Sequence, residues 1–171
     1  AGKSTVFKLL LGLYEPGEGS VWIDGREAAA IDRKERRFLF GYVEQSFHMV
    51  SGTVKEQITL YDDAITMEQV IKAAKLTGLH DTIMNLEHGY DTICTPELTG
   101  LHDTIMHLPD GYDTICTPEL FSQGQWQLLS IARAAAARPK LLLLDEITAN
   151  LDAETEKEVL EALKRVSENR T

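Results

Sequence analysis

Residues 141–146 read Leu141-Leu142-Leu143-Leu144-Asp145-Glu146. Four leucines in a row leave no polar face, so the run reads as a strand covered on both faces, as in a parallel sheet. Two carboxylates follow at once, at the strand's C-terminal end, where open α/β sheets bind ligands. Downstream, Asp152 is placed to cap a last helix. Val159, Leu160, Leu163 and Val166 form its apolar stripe, with Lys164 and Arg165 near its end. Upstream, Gly124 to Ala137 reads as a helix halted by Pro139.

Further toward the N-terminus, strand and helix signals alternate. Lys3 to Leu13 reads as a short helix, Ser20 to Ile23 as a strand ending at Asp24-Gly25, and Phe38 to Glu44 as a second strand. Thr53 caps a helix through about Leu60, and Thr66 another through Lys75. The expected fold class is α/β: a mostly parallel sheet flanked by helices.

The chain has 171 residues, 17 basic and 27 acidic, for a formal charge of −10. Its composition is globular, and no apolar run approaches the roughly 18 residues that span a bilayer. A pI near 4.9 argues against nucleic acid as a partner, because phosphates need a basic patch. Two cysteines, Cys94 and Cys116, are too few for a disulfide framework and read as free thiols.

A tandem duplication explains why both cysteines sit in equivalent places. Residues 77–98 and 99–120 repeat with a period of 22 and differ only at Asn85/His107, Glu87/Pro109 and His88/Asp110. Solenoids need three or more units, so two copies indicate a local duplication, with one copy surplus to the fold. Copy 99–120 is expected to keep the link to Phe121, and copy 77–98 to continue the preceding helix. His80-Asp81 and His102-Asp103 lack further metal ligands at suitable spacing. Trp22 and Trp126 show no pattern that suggests stacking.

Three short stretches carry chemistry. Ala1-Gly2-Lys3-Ser4-Thr5 is the tail of G-x-x-x-x-G-K-[ST], whose loop amides cradle phosphates at a helix start. There Lys3 reaches terminal phosphates and Ser4 places its hydroxyl on Mg²⁺. Asp145 can hold a water on that Mg²⁺, and Glu146 can polarise an attacking water as general base. In Leu120-Phe121-Ser122-Gln123-Gly124-Gln125, a Ser, a Gly and free helix-start amides form a second anion site. One nucleotide does not need both sites, so a dimer is implied, each subunit closing on the other's nucleotide.

Together these stretches resemble the ATP-binding cassette domain of an ABC transporter. Ala1 to Thr5 resembles the end of the Walker A loop, with Gly2, Lys3, Ser4 and Thr5 on the nucleotide. Phe121 to Gln125 resembles the signature motif, with Ser122, Gln123, Gly124 and Gln125 on the partner's nucleotide. Leu141 to Glu146 resembles the Walker B strand. Gln45 resembles the Q-loop glutamine, a Mg²⁺ ligand that senses the membrane domain. Ala149-Asn150-Leu151-Asp152 resembles the D-loop at the dimer interface. Gly52 to Ile58 and Gly111 to Thr114 look most like exporter-type cassettes.

The resemblance implies a P-loop NTPase-type fold, with residues 1–171 as a partial cassette and about 54–121 as its helical subdomain. It implies Glu146 and Gln45 as catalytic residues, Ser4, Gln45 and Asp145 around Mg²⁺, and ATP as substrate. The implied partners are a second cassette and a transmembrane domain, at the cytoplasmic face of the membrane.

Departures also bear on the expectation. Phe121 and Gln123 stand where the signature has Leu and its first Gly. No His follows His107, and the chain opens inside the phosphate-loop motif. The expectation is a shortened record of a longer protein. Two other readings stay open: an inactive fragment that keeps the motifs, and a soluble cassette ATPase of repair or translation. The acidic charge and the lack of a long insertion between Gln45 and Ser122 weigh against a repair ATPase.

Overall fold

A computed structural model describes residues 2–44, 46–94, 115–116, 120–149 and 151–168. Helix α1 (Lys3–Leu10) starts from Gly2, whose φ of 101° lies in the left-handed region. Strands β1 (Trp22–Ile23) and β2 (Arg26–Glu27) form a hairpin around Asp24-Gly25. Both turn residues have positive φ, as a tight hairpin of this kind requires.

Helix α2 (Arg33–Leu39) follows, capped by Asp32, whose side chain accepts from the Lys34 amide at 2.7 Å. This corrects the expected strand from Phe38 to Glu44. The Asp32 cap extends a helix through Leu39, and the strand β3 is confined to Phe40–Val43.

Strand β4 (Gly52–Thr53) leads into α3 (Val54–Thr59), which carries a reciprocal capping box between Thr53 and Glu56. Helix α4 (Met67–Thr77) is capped the same way by Thr66 and Gln69, and ends on Gly78 at φ 80°. Both Thr caps stand where the sequence places them. Helix α5 (His80–Met84), a 3₁₀ turn (Gly89–Asp91) and β5 (Ile93–Cys94) belong to the first repeat copy. From the second copy, β6 (Ile115–Cys116) and Leu120 are described. The expected link from copy 99–120 to Phe121 otherwise lies outside the described residues. Helix α6 (Gln123–Ala136), strand β7 (Leu141–Leu144) and helix α7 (Ala153–Ser167) complete the order.

Among the described residues the strands form three small sheets rather than one mostly parallel sheet. β1 and β2 pair antiparallel. β3 and β7 pair parallel, with Phe40 opposite Leu141 and Val43 opposite Leu144. β5 lies between β4, antiparallel to it, and β6, parallel to it.

Burial corrects two further expectations. Leu141 and Leu143 share one face of β7; Leu143 is 5% exposed but Leu141 is 37% exposed, and Leu142 and Leu144 on the other face are half-buried, so the cover expected on both faces is incomplete. With β3 as its sole partner among the described residues, β7 keeps one edge unpaired. In α7, Leu160 is 50% exposed, and Ala162 takes its place in the buried stripe with Val159, Leu163 and Val166.

The core runs along α6. Leu128, Leu129, Ile131 and Ala132 are buried there, and α3, α4, α7 and β3 pack around them. Gly41 of β3 lies flat against this helix. A Cβ at Gly41 would sit 2.7 Å from the Ala134 carbonyl oxygen and 2.8 Å from both Pro139 and Leu142. A backbone oxygen cannot rotate aside, so Gly41→Ala is expected to cost about 1–3 kcal/mol through overpacking. Urea unfolding of the two proteins measures it; equal midpoints would show that β3 and α6 can separate freely.

Candidate functional site

Pairing between β3 and β7 continues one residue past β7: the Asp145 amide donates to the Val43 carbonyl at 3.0 Å. The Asp145 carboxylate thereby stands at the C-terminal end of the strand, opposite the start of α1. Ser4 Oγ donates to Asp145 Oδ2 at 2.7 Å, and Lys3 Nζ lies 3.5 Å from Oδ1. Tyr42, on the neighbouring strand, donates to Oδ2 over a longer 3.3 Å. The Ser4 hydroxyl is the main influence that holds the Asp145 carboxyl below its ordinary pKa. Desolvation opposes it, and Lys3 and Tyr42 act in the same direction as Ser4.

Glu146 follows with a side chain that is 65% exposed, 4.0 Å from Lys3 Nζ. Its φ of 49° is left-handed, a conformation that costs a side-chain-bearing residue energy. Four sequence-selected residues, Lys3, Ser4, Asp145 and Glu146, thus converge from the two ends of the chain.

The start of α1 adds donors. Its first return bond is Val6 N–H to Gly2 O at 3.0 Å, so the amides of Lys3, Ser4 and Thr5 have no acceptor within the helix. Space around Gly2 is open: a Cβ there would meet nothing within 4 Å. Free amides, a helix start and a lysine make a site for phosphate oxygens. Ser4 Oγ and Asp145 Oδ2 are hard oxygen donors held side by side. Among the described residues no group of three or more His, Cys, Asp or Glu could enclose a metal. One carboxylate and one hydroxyl suit Mg²⁺, which keeps waters and phosphate oxygens as its other ligands.

The remaining sequence-selected residues lie elsewhere. Ser122 and Gln125 are engaged with each other: the Gln125 amide donates to Ser122 Oγ at 3.2 Å, and the Ser122 amide to Gln125 Oε1 at 2.9 Å. Gln123 is exposed at the first turn of α6. Gly124 is filled from within the chain, since a Cβ there would sit 2.2 Å from Thr155 Cγ2 of α7. Its absent side chain therefore answers to helix packing. Asp152 caps α7, accepting from the Glu154 and Thr155 amides at 3.1 and 3.0 Å and from Thr155 Oγ1 at 2.6 Å. Those Thr155 bonds hold its carboxyl below the ordinary pKa. Among the described residues, no hydrogen bond or ion pair joins Ser122–Gln125 or Asp152 to Gly2–Thr5. Gln45 and Asn150 lie outside the described residues.

Two features went unread in the sequence. Tyr42 touches Asp145, and its signal was the alternation of Tyr42 and Glu44 with Gly41 and Val43 along β3. Trp126, which carries no sequence pattern for stacking, stacks on Phe47 at 4.9 Å and meets the edge of Phe121 at the same distance. Arg133 covers the Phe47 ring at 4.2 Å. No local pattern reports this column, because its members lie far apart in the chain. It gives Phe121 a buried position, 3% exposed, beside Ser122. His80, considered above as half of a metal pair, instead bonds Tyr90 through Nδ1 at 3.0 Å.

The family model described as ABC transporter matches residues 1–149. An uncharacterized ABC transporter ATP-binding protein of Bacillus subtilis (strain 168), YfiC, is 39% identical over the whole chain, which spans 25% of it. The alpha-hemolysin translocation ATP-binding protein HlyB of Escherichia coli O157:H7 is 36% identical, again over the whole chain, which spans 21% of it. A solved bacterial Atm1-family ABC exporter with ATP bound superposes at a TM-score of 0.71 with 31% identity. That match covers 99% of this chain and 26% of the exporter. The chain spans about a quarter or less of the length of these relatives.

The depressed Asp145 carboxyl favours the ionised form in the folded protein. It therefore adds stability above the unfolded value of about 3.9, and that gain disappears as pH falls through the lower folded value. Ser4→Ala removes the main cause. A ¹³C NMR titration of the carboxyl should show Asp145 moving up toward its ordinary range. The stability lost in Ser4→Ala should be full at neutral pH and shrink below pH of about 4. A penalty that stays constant into acid would mean that the hydroxyl does not act through Asp145.

Proposed function

Because the chain belongs to the ABC transporter family, we propose that it binds Mg-ATP and hydrolyses it as the nucleotide-binding domain of an exporter-like transporter. The observation that carries this reading is the convergence of Lys3, Ser4, Asp145 and Glu146 at the mouth of α1. The helix-start amides of Lys3, Ser4 and Thr5 bind phosphate oxygens, and Gly2 lets the backbone approach them closely. Lys3 exchanges its two carboxylate contacts for the terminal phosphates. Ser4 Oγ and Asp145 would hold Mg²⁺, which when bound would supply positive charge against the phosphates. Glu146 accepts a proton from water as the water oxygen bonds to phosphorus and the bridging oxygen leaves with ADP. Gln45 is assigned to the Mg²⁺ shell and to orienting that water.

Hydrolysis in this reading takes two cassettes. Ser122 to Gln125 at the start of α6 close on the nucleotide of a second cassette, and Asp152 lies at that interface. Residues 54–121 form the helical subdomain that faces a transmembrane domain at the cytoplasmic side of the membrane. The exported substrate is chosen there. No described helix is long and apolar enough to cross a membrane.

A second reading, a chain that keeps the motifs without turnover, has one observation in its favour. Helix α1 has no fully buried residue: Phe7 to Leu10 are only half-buried, with Phe7 edge-on to Tyr42 at 6.1 Å, and Lys3 and Ser4 at its exposed start meet Asp145 through polar contacts.

Glu146→Gln in the intact protein separates the two. Removing the base should lower phosphate release by about 100-fold or more. Affinity for a fluorescent ATP analogue should stay within about threefold, under 1 kcal/mol, and be lost in Lys3→Ala. Unchanged hydrolysis in Glu146→Gln would remove that residue from the mechanism. A wild-type protein that binds the analogue yet releases no phosphate would favour the second reading.

A further inference from the structure

Tyr42 stands where the two halves of the site meet. Its backbone is fixed in β3, opposite Leu143 and between the buried Gly41 and Val43. Its ring is met edge-on by Phe7 of α1, with centroids 6.1 Å apart and planes at 71°. Phe7 follows Lys3 by four residues and Ser4 by three, so all three share one face of that helix. The Tyr42 hydroxyl donates to Asp145 Oδ2 at 3.3 Å, and Asp145 is its one hydrogen-bond partner among the described residues. A single side chain thus touches both the helix that carries Lys3 and Ser4 and the carboxylate that they reach.

Three groups hold the Asp145 carboxylate: Ser4 Oγ at 2.7 Å, Lys3 Nζ at 3.5 Å and the Tyr42 hydroxyl. They differ in what else the proposed reaction asks of them. Lys3 leaves for the terminal phosphates, and Ser4 shares its oxygen with Mg²⁺. Tyr42 is asked for nothing else. Water is a poor substitute for it, since the Asp145 side chain is only 14% exposed. The present 3.3 Å is long for a hydroxyl donor, and Ser4 holds the nearer position on the same oxygen. Hydrogen bonds of this kind often tighten once substrate is in place.

We infer that Tyr42 is a positioning residue for the metal site: its hydroxyl sets the orientation of the Asp145 carboxylate once Lys3 and Ser4 have turned to the nucleotide. The inference rests on the Mg-ATP reading above. It assigns the task to the hydroxyl and not to the ring, because Phe at this position keeps the contact with Phe7 and loses only the bond to Asp145. Outer hydrogen bonds orient a ligating carboxylate, and their loss costs about 10- to 100-fold in metal affinity. The effect is confined to the metal. Without a cation Ser4 still holds Asp145, so nucleotide bound alone does not sense the Tyr42 hydroxyl.

Two affinities of the intact protein test this. Mn²⁺, a paramagnetic stand-in for Mg²⁺, is titrated by electron paramagnetic resonance onto protein that has bound a non-hydrolysable ATP analogue. The analogue itself is titrated by calorimetry in EDTA, which also reports that each variant is folded. Tyr42→Phe should weaken Mn²⁺ binding by about tenfold or more and leave the affinity in EDTA within about twofold. Equal Mn²⁺ affinity in wild type and Tyr42→Phe would overturn the inference. A loss shared equally by both affinities would overturn it too, because it would mark a role in holding α1 and not the carboxylate. A wild-type complex that holds Mn²⁺ no more tightly than the analogue does alone in solution would refute the Mg-ATP reading itself, and this inference with it.

Discussion

Everything at the site depends on the parallel pairing of β3 with β7. Four residue pairs, from Phe40 with Leu141 to Val43 with Leu144, set how far β7 extends. The Asp145 amide then bonds Val43, which fixes where the chain leaves the sheet and where its carboxylate points. Ser4 and Lys3 reach that carboxylate from a helix that buries none of its own residues. The site is therefore built from one strand end and one helix that reaches it through Ser4 and Lys3 and through the edge-on contact of Phe7 with Tyr42. A one-residue slip of β7 would turn Asp145 to the opposite face and leave Ser4 and Lys3 without their partner.

Much of this was legible because it is local. Caps at Thr53, Thr66, Ser122 and Asp152 announce helices through the hydrogen bonds that they offer to the next few amides. The leucine run ending in Asp145-Glu146 announces a strand and a ligand end. Burial was less legible, since it depends on what lies across the fold. Leu141 reads like Leu143 in the sequence, but with β3 as its one described neighbour it remains at an open edge. Leu160 falls on the edge of its stripe, and the smaller Ala162 is the residue that α4 and α6 can approach. Helix α2 was missed because its Asp32 cap precedes a run of charges with no apolar periodicity to follow.

The start of α6, proposed above to close on a second cassette's nucleotide, is first of all a helix cap. Ser122 and Gln125 satisfy each other within the first turn of α6, and Thr155 occupies the space that Gly124 leaves open. Phe121 departs from the family's leucine, yet it is buried against Trp126, which stacks in turn on Phe47. The substitution is thus absorbed by an aromatic column joining the segment after Gln45 to the start of α6. The amide of Gln123 remains at the helix start whatever its side chain, which leaves the backbone donor that the proposed nucleotide contact would use.

Glu146 has a consequence beyond chemistry. Its left-handed φ of 49° is one that glycine adopts at no steric cost and that a side chain with a Cβ adopts only at some expense. The best residue for the backbone at this position is consequently the worst for the general-base role proposed for Glu146. Under that proposal, selection for heat resistance alone would drift away from glutamate here, and selection for turnover would restore it. In the proposed mechanism the end of β7 is then a place where stability and activity pull the same residue in opposite directions.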